Sequence, residues 1–245
     1  MSKPIQDAYL VAAVRTPVAK IRGAFRHTRP DDLLAQVLRG AVAHCPGLDS
    51  KLIGDVIVGC AIPEGEQGMN VARMGLLLAG LPDSVPGLTI NRFCASGIQA
   101  VAQAADRIRL GEADVMLAAG VESMTLIPMG GSKIALNPEV FAKDENIGIA
   151  YGMGLTAEQV AREWQVSRED QDVFAVESHR RAVAAIAQGE FRQEILPTTV
   201  VDQLPDHRTM QVQLRERVVE HDEGPRPDST LSGLALLKPV FAARG

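Results

Sequence analysis

The chain has 245 residues, enough for one large domain or two smaller ones around a buried core. Hydrophobic residues make up 46% and charged residues 22%, as in ordinary globular proteins, and with aromatics at only 4% the packing falls to small aliphatics, which suits tight helix-on-sheet layers. A formal charge of −5 argues against binding nucleic acid or anionic membranes through bulk electrostatics, so an anionic ligand would need a local basic contact.

The first residues, Met1-Ser2-Lys3-Pro4-Ile5-Gln6-Asp7, hold no long apolar run and no cleavage-like site, which argues against a secretory signal. No apolar run reaches transmembrane length. Residues 9–14 read as a buried strand. A loop follows with the basic residues Arg15, Lys20, Arg22, Arg26 and Arg29; a solvated charge run is the plainer reading and a phosphate contact the sharper one. Leu33, Leu34, Val37, Leu38, Ala41 and Val42 share one helical face. Residues 55–60 form a second apolar strand, Asn70 caps a helix carrying Val71, Met74 and Leu78, and residues 86–90 form a third strand. A helix from about Ala95 carries Ile98, Val101, Ala105 and Ile108 and stops at Gly111, before a fourth strand at residues 114–118. Strands alternating with helices, each apolar on both faces, predict α/β layering around a mainly parallel sheet.

The texture changes after Met124. Residues 125–150 have little periodicity and read as an excursion. Thr156-Ala157-Glu158-Gln159 reads as a capping box opening a helix with Val160, Ala161 and Trp164 inward, and Ser167-Arg168-Glu169-Asp170 as the start of a longer helix ending at Gly189. Val212, Leu214 and Val218 alternate like an exposed strand. Two domains are therefore expected, an α/β domain at residues 1–121 and an inserted domain at 122–245.

Three cysteines, Cys45, Cys60 and Cys94, without paired spacing, argue against a disulfide framework and fit a reducing, cytoplasmic compartment. Cys94 stands where a strand ends and a helix begins. A thiol there meets the positive end of the helix dipole, which favours thiolate. Ala95, Ser96 and Gly97 leave room for a substrate carbonyl, and the Cys94 amide can point at a developing oxyanion. Composition alone would make such a cysteine a packing residue. His27, His44, His179, His207 and His221 show no metal-ligand spacing, so no metal is expected, and His179 reads as solvated on a charged helix face. Gly152-Met153-Gly154-Leu155-Thr156-Ala157 imitates a dinucleotide fingerprint, but no strand clearly precedes it.

The segment Asn91-Arg92-Phe93-Cys94-Ala95-Ser96-Gly97-Ile98-Gln99-Ala100 resembles the nucleophile segment of thiolases, particularly the degradative 3-ketoacyl-CoA thiolases. Arg15-Thr16-Pro17, Gly65-Glu66-Gln67-Gly68-Met69-Asn70, Gly120-Val121-Glu122-Ser123-Met124, Met153-Gly154-Leu155-Thr156-Ala157-Glu158 and Asp222-Glu223-Gly224-Pro225-Arg226-Pro227 match the same family in the same order. The resemblance implies an αβαβα layered fold, of which this chain is the N-terminal half-domain, without its last strand, plus an inserted CoA-binding loop domain. It implies that Cys94 is the acyl-accepting nucleophile and that CoA enters as a substrate, with no separate cofactor. Arg226 matches a loop-domain arginine that meets the CoA phosphates or adenine, and Met153 a methionine lining the pantetheine and acyl channel. Gly233 stands where relatives have a CoA-contacting serine, with Ser232 beside it, and Gly152 stands where some relatives have histidine. The family's Asn-Glu-Ala-Phe segment, Gly-His-Pro segment and second reactive cysteine are not found in this sequence, so a C-terminal half is an expected partner, as is a homo-oligomer. The implied activity is acetyl-CoA acyltransfer in β-oxidation; the alternatives are a biosynthetic acetoacetyl-CoA thiolase and a non-catalytic acyl-CoA-binding fragment.

Overall fold

Strand β1 (Ile53–Gly59) is apolar on both faces, and that property sets the architecture around it. In the computed structural model, which describes residues 5–243, Val56, Ile57 and Val58 are all fully buried. Alternate side chains of a strand point to opposite faces, so such a strand needs cover on both sides. Val56 and Val58 belong to a core with Leu34 and Leu38 of α1 (Pro30–Ala43) and Val71 and Leu76 of α2 (Val71–Leu78). Ile57 packs instead on Ala100 and Ala104 of α3 (Ser96–Arg109). β2 (Gly87–Ile90) and β3 (Val115–Gly120) flank β1 in parallel, in the order β2-β1-β3. Full burial of each Leu or Ile side chain contributes roughly 1.5–3 kcal/mol.

Local chemistry fixes the element ends. α1 opens with Pro30, whose ring presets the helical φ, and carries Asp31 and Asp32 in its first turn. The Asn70 side chain accepts the Arg73 N–H at the start of α2. Arg107 of α3 reaches Asp55 of β1 at 2.6 Å, and this half-buried ion pair ties the helix to its strand.

The strand expected at residues 9–14 does not form. Tyr9, Leu10 and Val11 are 76%, 84% and 79% exposed, and the nearest ladder contact is a single bridge between Arg15 and Ile195. Apolarity tells what a segment gains by burial, not whether a neighbouring strand is there to pair with; among the described residues none pairs with this one. The readings made on residues 1–4 and 244–245 lie outside the described residues.

The chain divides into two compact units, Met1–Lys133 with Gln193–Glu223, and Ile134–Arg192 with Gly224–Gly245. This division differs from a boundary after residue 121. The hairpin of β4 (Thr198–Asp206) and β5 (Gln211–Val219) belongs to the first unit, where Val200 and Val219 pack with Ala24 and Phe25. The second unit holds short 3-10 segments at Pro138–Ala142 and Asp144–Ala150, then α4 (Met153–Glu163), α5 (Arg168–Gln188) and α6 (Leu231–Ala235). α5 has the capping box of Ser167 and Asp170 and ends on Gly189 at φ 75°, a left-handed position that suits glycine. α4 begins at Met153 rather than at a Thr156 cap: Thr156 is interior, and its hydroxyl bonds back to the Gly152 carbonyl. Trp164, expected inward, is exposed at the end of α4.

Candidate active site

The carboxyl ends of β1, β2 and β3 open into three loops at one edge of the sheet, where parallel α/β sheets place their ligands. Gly59 ends β1. A Cβ there would overlap the backbone of Ser96 and Gly97, so glycine lets the start of α3 lie directly against the strand.

Between β2 and α3 the chain makes a tight turn that carries Cys94. Phe93 sits at φ 48°, a left-handed conformation that costs a non-glycine residue about 1–2 kcal/mol. Two side chains hold it there. The Asn91 Oδ1 accepts the Phe93 N–H at 2.8 Å, and the buried Ser96 hydroxyl accepts the Arg92 N–H at 2.8 Å while donating to the Phe93 carbonyl at 2.6 Å. The Ala95 and Ser96 N–H groups close the turn onto the Arg92 and Phe93 carbonyls. Cys94 is left exposed at the helix start, where first-turn amides lack intrahelical partners.

The other cysteines differ. Cys45 is half-buried, and Cys60 is buried directly after β1. Burial, with the negative charge of Glu122 adding to it, pushes the Cys60 thiol up to about 11. At neutral pH it is a protonated packing residue.

A polar cluster joins the loops after β1 and β3. The Gln67 amide is fully buried; it donates to the Ile62 carbonyl at 2.8 Å and to Glu122 Oε1, and accepts the Ser123 N–H at 2.8 Å. Glu122 Oε2 accepts the Ala61 N–H at 2.6 Å. The Ala61 carbonyl accepts from Asn91 Nδ2 at 2.9 Å. Gln67 and Glu122 both stand in segments that match the family, but their pairing across 55 positions has no signal in one sequence.

The residues expected to hold CoA lie in the second unit. Arg226 is exposed, and its backbone N–H donates to His179 Nδ1 at 3.1 Å. His179 is therefore engaged rather than simply solvated. Met153 is the exposed first residue of α4, beside Gly154, where a Cβ would overlap the Phe241 ring. Ser232 and Gly233 are exposed in α6, whose N-cap hydroxyl, Thr230 Oγ1, accepts the Gly233 N–H at 3.1 Å. Gly152, the N-cap of α4, follows a 3-10 segment and not a strand, which removes the dinucleotide-fold context. Of the basic loop, Arg15, Arg26 and Arg29 are in ion pairs with Asp222 and Glu194, Asp202, and Asp31. Among the described residues no cluster of His, Cys, Asp and Glu is arranged to hold a metal, and no helix is long and apolar enough to cross a membrane.

Comparison with known proteins agrees with this architecture. The family description "Thiolase, N-terminal domain" matches residues 8–245. The chain is 43% identical to a 3-ketoacyl-CoA thiolase of Bacillus subtilis, over 98% of this chain and 61% of that protein. It is 43% identical to a β-ketoadipyl-CoA thiolase of Pseudomonas aeruginosa, over 96% of this chain and 60% of that protein. The crystal structure of the Bacillus anthracis acetyl-CoA acetyltransferase superposes with a TM-score of 0.79 at 34% identity, covering 98% of this chain and 60% of that one. The chain thus spans about 60% of the length of these relatives. With the family's N-terminal domain matched over nearly every residue and the same α/β fold behind the Cys94 turn, the chain belongs to the thiolase family.

Proposed function

We propose that the complete protein is a degradative 3-ketoacyl-CoA thiolase with Cys94 as its nucleophile. The observation that carries this reading is the exposed Cys94 thiol, held in a bonded turn at the start of α3 beside the carboxyl edge of the sheet. The Cys94 sulfur attacks the 3-keto carbon of the substrate. The bond between C2 and C3 breaks, and its electron pair leaves with acetyl-CoA as an enolate that takes a proton at C2. The shortened acyl group remains on Cys94 as a thioester. The thiol of free CoA then attacks that carbonyl, the Cys94 thiolate departs, and a shortened acyl-CoA is released. Covalent catalysis of this kind replaces one difficult step with two easier ones. The proton transfers belong to the histidine and second cysteine that the family resemblance implies outside residues 1–245. Arg226, Met153, Ser232 and Gly233 are the proposed CoA contacts, CoA and 3-ketoacyl-CoA the small-molecule partners, and a cytoplasmic homo-oligomer the working form.

The fold likeness to an acetyl-CoA acetyltransferase favours a second reading, condensation of two-carbon units in the biosynthetic direction. Incubating the complete enzyme with acyl-CoA and mapping the adduct by mass spectrometry tests the chemistry. Acylation should fall on Cys94, and Cys94→Ser should lower turnover by at least about a thousandfold, since a hydroxyl needs stronger activation than a thiol. An adduct on Cys45 or Cys60 with Cys94 free would falsify the assignment. Thiolysis rates across short, long and ω-carboxylated 3-ketoacyl-CoA substrates separate the degradative reading from the biosynthetic one.

A further inference from the structure

The turn around Cys94 carries a conformational cost at Phe93, and the two side chains that hold it are unequal. Ser96 is buried and belongs to α3. Asn91 is exposed, in the loop itself, and can fix the turn only if it is fixed in its own right. Its Nδ2 meets that need by donating to the Ala61 carbonyl at 2.9 Å. Ala61 follows Cys60 in the loop after β1, and its N–H is held by Glu122 Oε2 at 2.6 Å. The other Glu122 oxygen accepts from the buried Gln67 amide, which also binds the Ile62 carbonyl and the Ser123 N–H. A run of hydrogen bonds thus leads from a fully buried amide, through a carboxylate and the backbone N–H and carbonyl of Ala61, to the residue before the thiol.

We propose that Glu122 and Gln67 are positioning residues for Cys94, acting through the Ala61 backbone and the Asn91 side chain. The inference rests on the reading of Cys94 as the nucleophile. Neither residue is assigned a contact with substrate. Their work is to keep the loop after β1 at a fixed distance from the turn, so that Asn91 holds Phe93 in its left-handed conformation and the thiol keeps one direction of attack. A displacement of about 1 Å at an attacking atom lowers rates by roughly a hundredfold. A network of this kind is coupled, so its members should lose function together rather than one by one.

The test uses the full-length enzyme and three variants: Glu122→Ala, Asn91→Asp and the double variant. Asn91→Asp keeps the oxygen that accepts the Phe93 N–H, removes the donor to Ala61 and adds a negative charge near the sulfur; the charge slows acylation without loosening the turn, so faster exchange over residues 91–95 is what marks the lost tether. Three measurements are made: the single-turnover rate of Cys94 acylation by acyl-CoA, amide hydrogen exchange over residues 91–95, and steady-state KM and kcat. Each single variant should slow acylation by tenfold or more and speed exchange in the turn, with KM for acyl-CoA changed less than kcat. The double variant should be no slower than the worse single one. Should Glu122→Ala fail to fold, Asn91→Asp at an exposed position still decides the matter. Exchange at the wild-type rate in Asn91→Asp, or multiplied effects in the double variant, overturns the proposal. Absence of Cys94 acylation in the unsubstituted enzyme defeats the nucleophile reading instead, and the exchange data then judge the tether alone.

Discussion

Cys60 and Cys94 follow adjacent strands of one sheet, and their surroundings separate them chemically. Cys60 caps the core beside β1, where it is buried and the Glu122 carboxylate adds a negative charge nearby. Both influences oppose formation of a second anion, and the thiol is pushed up to about 11. Only the thiolate is a nucleophile, so Cys60 stays inert through pH 8 and gains reactivity only as the pH approaches its own raised value. Iodoacetamide at pH 8 should therefore label Cys94 and spare Cys60 in the folded enzyme, with Cys60 appearing after denaturant is added. Peptide mapping reads the result, and rapid labelling of folded Cys60 would contradict its burial. The place of Cys94 between a strand and a helix was legible in the sequence, because a strand end, a helix start and small neighbours are all local. The Phe93 conformation and the buried Gln67 were not, since both depend on loops brought together from 30 to 60 residues away.

Within single elements, the helices show which sequence signals are complete in themselves. The Ser167 box and Gly189 bound α5 because each cap is satisfied by backbone a few residues away. The Thr156 pattern is of the same kind but lies inside α4, where the turn already begun at Met153 takes the backbone N–H groups such a box would use. α5 also carries a role that charge pattern alone does not display. His179 accepts the Arg226 N–H through Nδ1, so α5 supports the segment proposed to hold CoA. Arg226→Ala should raise KM for CoA about tenfold with kcat little changed, the signature of lost uniform binding. His179→Ala should raise the same KM by a smaller factor, because the arginine remains and only its support is removed. Steady-state thiolysis at varied CoA measures both, and an unchanged KM in Arg226→Ala would take that residue out of the binding site.

At the scale of the whole molecule, matching motifs far apart in sequence turn out to be partners. Gly65-Glu66-Gln67 meets Glu122-Ser123 through the Gln67 amide, and Arg15-Thr16-Pro17 meets Asp222-Glu223 across some two hundred residues. The α/β class was legible because alternation of apolar strands and helices is periodic. The pairing of motifs was not, because one sequence shows which residues a family shares and not which of them touch. The failure of residues 9–14 to form a strand has the same origin, a partner that no local pattern reveals.

The Arg15–Asp222 contact gives the first unit a defined response to acid. The guanidinium forks onto both carboxylate oxygens at 2.7 and 2.9 Å, and Asp222 Oδ1 also accepts the Val18 N–H at 2.7 Å. Glu223 beside it accepts the Lys20 and Ala24 N–H groups, so the pair closes the basic loop against the end of the hairpin. The bonds from Arg15, assisted by the Val18 N–H and opposed by partial burial, hold the Asp222 carboxyl below the usual carboxylate range. A carboxyl depressed in the folded state binds its proton more readily when unfolded, so the unfolded protein takes up protons first as the pH drops. The stabilisation is complete above the unfolded value of about 4 and is lost as the pH falls through the lower, folded value. Arg15 stays cationic throughout, so the carboxylate alone sets the window. Asp222→Asn should cost about 1.5–3 kcal/mol at pH 7, the range for a hydrogen bond to a charged group. The difference from the unsubstituted enzyme should shrink below about pH 4, where the carboxylate it removes is being protonated anyway. Urea unfolding followed across pH 3–7 checks both parts, and a difference that stays constant through that range would show that Asp222 does not stabilise the fold through its charge.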